Sequence, residues 1–210
     1  MTKKRAFLLS MEGIEGTGKS THCRILSRFL KRQGYKVCIF REPGSSSLGE
    51  KIREILLHSK NELTAFCETL LFVAAREQLV AQKLKKNLYT KDVIILDRYI
   101  DATLAYQGYG AGVDVRLIKQ LNKAAVGKLV PDLTILLDVC PKTGISRSGR
   151  GDRFEKRNLA FHGKVRNGYL RLAKKDKKRI KVIATDTSIE NVGEKIRRII
   201  HDRLGYKNKI

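Results

Sequence analysis

No stretch of the 210-residue chain approaches the roughly 20 apolar residues that a membrane helix requires. Met1 to Arg5 is basic, but the apolar run behind it, Ala6 to Met11, is too short for a secretory signal and lacks a small-residue cleavage site. A soluble, cytoplasmic protein is expected. The four cysteines, Cys23, Cys38, Cys67 and Cys140, form no Cys-x-x-Cys pair and lie in or beside apolar segments. They read as buried, reduced thiols. The four histidines (His22, His58, His162, His201) are scattered without the spacing of metal ligands. Neither a fixed-period repeat nor a low-complexity linker is visible.

Acid is also scarce: 21 Asp and Glu face 44 Lys and Arg, a net charge of +23. Such a charge attracts polyanions. The densest basic stretch, residues 164–181, has few aromatics and no nucleic-acid-binding signature. It reads as solvated faces, with weak electrostatic sticking to nucleic acid as the consequence. The hydrophobic fraction of 42% supports a real core and excludes disorder. The length suits a single domain spanning residues 1–210, with or without a small lid.

Apolar patterns alternate along the chain. Strand-like runs fall at Ala6–Met11, Tyr35–Phe40, Val93–Leu96, Leu133–Val139 and Ile180–Ile183. Helical periods cover Ser20–Gln33, Leu48–Leu57, Leu63–Leu88, Val115–Ala125, Phe154–Ala173 and Ile189–Leu204. The order predicts an α/β fold with a five-stranded parallel sheet and helices on both faces. Arg147 to Arg157, interrupted by Gly149 and Gly151, reads as a loop, so a mobile lid is expected at about residues 144–157.

Gly13-Ile14-Glu15-Gly16-Thr17-Gly18-Lys19-Ser20 matches the phosphate-binding pattern G-x-x-x-x-G-K-[ST], between a strand and a helix as the motif requires. Its glycines let backbone N–H groups converge on phosphates, and the helix adds its positive end. With Thr21 beyond it, the loop is the candidate ATP site. Lys19 would reach the β- and γ-phosphates, and Ser20 would offer its hydroxyl to Mg²⁺. Glu15 is unfavourable beside phosphates, so it reads either as a polar surface residue or as an acceptor for a substrate hydroxyl. Asp97 ends a buried strand, where parallel sheets bind ligands, and is placed to hold Mg²⁺ through water. Arg98 can grip a phosphate bidentately.

Five segments together carry a resemblance: Glu12 to Ser20, Arg41-Glu42-Pro43-Gly44, Leu70 to Arg76, Asp97 to Gly108 with its Ala105-Tyr106-Gln107, and Asp152-Arg153-Phe154-Glu155. From Phe7 to about Leu204 the chain resembles the thymidylate kinases, which implies a P-loop NTPase-type fold and phosphorylation of dTMP to dTDP by ATP·Mg. The resemblance implies that Phe72 stacks on thymine, Arg76 bonds a thymine carbonyl and Thr103 lies near the base edge. It further implies that Pro43 walls the base pocket, and that Tyr106 disfavours a 2′-hydroxyl. Gln107 would line the same site, Glu15 would meet the 3′-hydroxyl, and Arg98 would hold the acceptor phosphate, with Arg41 a second candidate. Gly16 stands where one branch of the family carries arginine, so of the lid arginines Arg147, Arg150 and Arg153 either Arg150 or Arg153 is expected to be catalytic. A homodimer through Leu63–Leu88 and Val115–Ala125 is implied as well.

The chain departs from the family pattern at Ala102, where serine is usual, and at Ala184, where aspartate is. Phe72 could equally be core, and the lid arginines could be a solvated basic loop. Arg76 has no charge partner nearby in sequence, which favours a ligand role. Two other functions fit parts of the sequence. One is a P-loop kinase for another small molecule; the other is a nucleic-acid-binding module with a relic P-loop.

Overall fold

The computed structural model describes residues 5–59, 62–149 and 151–204. Five parallel strands form one sheet in the order β2-β3-β1-β4-β5. They are β1 (Phe7–Glu12), β2 (Val37–Arg41), β3 (Val93–Asp97), β4 (Leu133–Asp138) and β5 (Ile180–Ala184).

The sheet is apolar on both faces because helices cover both. On one face, Leu9 and Met11 of β1 and Val93 and Ile95 of β3 pack against α1 (Lys19–Arg32) and α9 (Ile189–Leu204). On the other face, Leu8, Ile94 and Leu96 meet Leu79, Val80, Leu84 and Val126. Those residues come from α3 (Ala65–Leu79), the π-helical turn Val80–Leu84 that leads into α4 (Lys85–Asn87), and α6 (Val115–Val126). Truncating a fully buried residue such as Ile95 to alanine costs about 2–5 kcal/mol.

The helical pattern at residues 63–88 is one rod, running Ala65–Asn87, with a π-helical turn inside it. After β3, α5 (Ile100–Thr103) runs into a π-helical segment, Leu104–Gly110, an element that the apolar pattern did not reveal. α2 (Ser47–His58) starts at Ser46, whose hydroxyl accepts from Gly49 N. Two boundaries need correction. Residues 147 and 148 are helical, because α7 (Pro141–Ser148) starts with proline at its first position and stops at Gly149 in the left-handed conformation. The next helix, α8, runs Leu159–Lys175 and not from Phe154, because Asn158 caps it by accepting from Phe161 N.

The cysteines also differ from the expectation. Cys23 is buried in the core, but Cys67 and Cys140 are exposed, in the first turn of α3 and just before α7.

Candidate active site

The C-terminal edge of the sheet carries the site, where open parallel sheets place their ligands. Met11, Asp97 and Arg41 are level across β1, β3 and β2. β1 hands over to the phosphate loop, which folds around its own lysine: Lys19 Nζ donates to Ile14 O at 2.6 Å and to Thr17 Oγ1 at 3.3 Å. Gly18 caps α1 in the left-handed conformation. Ser20 Oγ donates to Asp97 Oδ2 at 2.5 Å, so the hydroxyl and carboxylate converge at the mouth of the loop. Gly16, Gly18, Lys19, Ser20, Thr21, Arg147 and Ser148 line the cavity over it.

Gly16 is held by more than its positive φ of 68°. A Cβ there would stand 1.8 Å from Gly144 O, and a Cβ on Gly144 would stand 2.6 Å from Glu15 O. Loop and α7 thus pack backbone to backbone, which leaves no room for an arginine at position 16. The same contact brings Arg147, one turn beyond Gly144, over the loop.

A second cavity lies beside the first, with Glu15 in its wall next to Gly16 in the wall of the other. Phe72, Phe154, Leu57 and Pro43 supply its apolar walls, and Glu15, Glu42, Arg98, Thr103, Tyr106 and Gln107 its polar ones. Phe72 and Phe154 face each other with ring centroids 5.9 Å apart. Arg98 lines this cavity and reaches back to the phosphate loop. Its Nη1 donates to Gly13 O at 2.8 Å, its Nη2 to Glu15 Oε1 at 3.0 Å, and its guanidinium lies 4.9 Å from the Tyr106 ring. It holds φ at +69°, unusual outside glycine. The backbone on either side is pinned: Arg98 N donates to Met11 O, and Tyr99 N to Glu12 Oε1 at 2.7 Å.

Glu15 resolves as a buried hub and not as a surface residue. Tyr106 Oη donates to it at 2.6 Å, and His162 Nδ1 is 3.3 Å from its other oxygen. Burial would push its carboxyl up. The His162 imidazole beside it, the charges of Arg98 and Lys19 and the Tyr106 hydroxyl more than offset this, and hold it well below the usual carboxylate range. Two neighbouring carboxyls go the other way. Burial raises Glu42 to about 7, although Arg76 opposes the shift. Burial, then the charge of Asp101, raises Glu12 to about 7 against Arg98.

A sequence profile described as thymidylate kinase matches residues 11–196. A thymidylate kinase of Syntrophotalea carbinolica is 44% identical over 201 residues, which covers 91% of this chain and 93% of the relative. One of Synechococcus is 41% identical over 196 residues, covering 93% and 96%. The crystal structure of the Ehrlichia chaffeensis thymidylate kinase superposes with a TM-score of 0.78 at 33% identity, over 93% of this chain and 98% of that one. The chain belongs to the thymidylate kinase family. It is a nucleoside monophosphate kinase, and its reaction is phosphoryl transfer from ATP to dTMP.

Within this family member the site residues named from sequence divide into three groups. Phe72, Pro43, Thr103, Tyr106, Gln107, Arg98 and Glu15 line the Phe72–Phe154 cavity, and Gly16 to Thr21 line or adjoin the phosphate-loop cavity. Three arginines lie apart. Arg41 is half exposed and pairs with Glu50 at 2.8 Å. Arg76 is buried behind the cavity wall. It donates to Glu42 at 2.7 Å, Asn122 at 2.5 Å, Tyr99 O at 3.0 Å and Thr103 Oγ1 at 2.9 Å. Its charge partner is thus 34 residues away in sequence. Arg153 turns from the phosphate loop toward Leu56 O and the buried Glu68. Arg150 lies outside the described residues.

Sequence reasoning did not select Arg147, Glu42, Asp152, Phe154 or Leu57 as lining residues. Phe154 had a signal, since it belongs to the Asp152–Glu155 motif. Arg147 had a signal as one of the three lid arginines, but Arg150 and Arg153 were preferred to it.

Proposed function

We propose that this family member carries its reaction, ATP + dTMP → ADP + dTDP, across the junction between the phosphate loop and the Phe72–Phe154 cavity. The observation that carries this reading is the place of Arg98, which lines the Phe72–Phe154 cavity and donates to Gly13 O and Glu15 of the phosphate loop, so that it stands where two phosphates would meet. The dTMP phosphate is mostly dianionic at neutral pH, its second pKa being about 6, and needs no general base. The protein has to bring two polyanions together. Lys19, the loop amides and Arg98 would neutralise and align the transferring group.

Ser20 and Asp97 are the metal-binding pair in this reading. No group of three or more His, Cys, Asp or Glu gathers among the described residues. Two oxygen donors suit a hydrated Mg²⁺ that takes its other ligands from ATP, and that ion would supply charge neutralisation of the phosphates. Phe72 would stack on thymine, with Pro43 as a wall, Thr103 and Gln107 at the base edge, and Tyr106 and Glu15 at the sugar. Arg76 acts on the base through Thr103, its own donors being directed at the protein. Arg41 is an outer candidate for the phosphate. A lid at residues 144–157 would close over ATP and exclude water.

A homodimer fits the surface of α3, where Phe66 and Leu70, one turn apart, are 46% and 43% exposed. No helix among the described residues is long and apolar enough to cross a membrane. Together with free cysteines, that supports action in the reducing cytoplasm. Nucleic acid would bind only through net charge.

The test is ADP release with ATP·Mg and dTMP, dUMP, dCMP, dGMP or AMP. Strong preference for dTMP is expected, and preference for another acceptor would overturn the pocket assignment.

A further inference from the structure

Glu68 lies in the first turn of α3 with its side chain fully buried. Arg153 Nη1 stands 2.9 Å and Arg157 Nη2 2.6 Å from its Oε1. Its Oε2 accepts from Gln107 Nε2 at 3.2 Å. A carboxylate held by two guanidinium groups accepts hydrogen bonds and does not donate them. Only the nitrogen end of the Gln107 amide can therefore face Glu68. The carbonyl end is left for the other side, and Gln107 lines the acceptor cavity while being 1% exposed.

Four residues earlier, on the same side of the helical turn, Thr103 shows the opposite polarity. Its Oγ1 accepts from Arg76 at 2.9 Å, which leaves the hydroxyl proton to be donated. Two buried charged groups behind the wall thus set one donor and one acceptor on it. Thymine offers a carbonyl at C4 and an N–H at N3, the complement of that pair. Cytosine offers an amino group and a bare nitrogen, which oppose it.

We infer that Glu68 is a positioning residue for base selection: it fixes the Gln107 amide so that its carbonyl accepts the thymine N3–H, and it thereby rejects cytosine. The inference rests on the placement of the base against Phe72 proposed above. It also explains why a carboxylate is kept out of water beside the acceptor cavity, where burial without such partners would be costly.

The test compares kcat/KM for dTMP, dUMP and 5-methyl-dCMP. dTMP and 5-methyl-dCMP share the methyl group and differ only in the polarity of the C4 and N3 edge. In Glu68→Gln the partner can donate as well as accept, so Gln107 is free to turn. The dTMP to 5-methyl-dCMP ratio is expected to fall about tenfold, while the dTMP to dUMP ratio, which reads the methyl group, stays as in wild type. Ratios taken on one preparation do not depend on the fraction of folded protein, so a loss of stability alone leaves both unchanged. Gln107→Met, which keeps Glu68 on both arginines, is expected to lower the same ratio. An unchanged dTMP to 5-methyl-dCMP ratio in both variants, with wild-type selectivity intact, would overturn the inference. A wild-type enzyme that does not separate these two acceptors would overturn the placement of the base and the inference with it.

Discussion

Arg98 Nη2 lies 3.0 Å from Glu15 Oε1, joining a residue just beyond β3 to one inside the phosphate loop. The pair holds the guanidinium in the wall of the Phe72–Phe154 cavity, beside the phosphate loop. Replacing Arg98 by alanine removes that cation and strands a buried carboxylate. Turnover of dTMP is expected to fall about a hundredfold to a thousandfold, the cost of losing a charge-stabilising donor. Steady-state kinetics of Arg98→Ala check this, and a loss below tenfold would remove Arg98 from the phosphate site.

Lys19 Nζ is satisfied by Ile14 O and Thr17 Oγ1, contacts internal to the loop. Lys19→Ala should therefore fold, at a cost of about 1 kcal/mol for the missing hydrogen bonds. Phosphoryl transfer is expected to drop to background. Circular dichroism melting alongside the ADP-release assay separates the two effects. Near-normal activity in the folded variant would refute the mechanism.

Phe72 is partly exposed and faces the cavity, whereas Ala75, one helical turn on, is buried. A ring on which a base stacks is worth about 1–3 kcal/mol per base. Phe72→Ala is expected to raise KM for dTMP about tenfold or more and to leave KM for ATP unchanged. Equal changes in both constants would point to ordinary packing.

Much of the architecture was legible because a parallel sheet buried on both faces needs continuous apolar runs, and β1, β3 and β4 supply them. The phosphate loop was legible because its spacing is local. What escaped detection was set by contacts between distant segments. Arg76 looks unpaired along its own helix, yet Glu42 meets it from the end of β2. The π-helical segment Leu104–Gly110 has no periodic signature of its own. α7 is short and contains a proline, a glycine and two serines in eight residues, so propensity favours a loop; its backbone contact with the phosphate loop, Gly144 on Gly16, decides otherwise. Pro141 and Asn158 were available start signals for α7 and α8.

Glu42 is buried and its carboxyl is raised by that burial to about 7. In the unfolded chain it ionises near its ordinary value of 4.5. Between those values the native state holds a proton that the unfolded state has lost, so this group makes stability fall as pH rises from about 4.5 to about 7. Glu42→Gln cannot titrate, and its melting temperature should vary less with pH over that window than the wild type. Thermal melts at half-unit pH steps test this. Parallel curves would mean that Glu42 keeps an ordinary carboxyl in the folded protein.

Arg147 and Arg153 share a charge and a stretch of chain, but they point to different places. Arg147 lines the phosphate-loop cavity and donates to Thr185 O at 2.9 Å. Arg153 is drawn to Glu68 and Leu56 O, with its guanidinium 5.2 Å from the Phe154 ring. Arg147→Ala should therefore act on the donor side, raising KM for ATP by about tenfold, the worth of one charge-assisted contact. Arg153→Ala should act on the folded state. It leaves a buried carboxylate one partner short, and the melting temperature is expected to fall while KM for ATP holds. Measuring both constants and both melts in the two variants decides the assignment. If KM for ATP rises in Arg153→Ala and not in Arg147→Ala, residue 153 moves onto the nucleotide when the enzyme closes, and the arrangement described here is that of the open state.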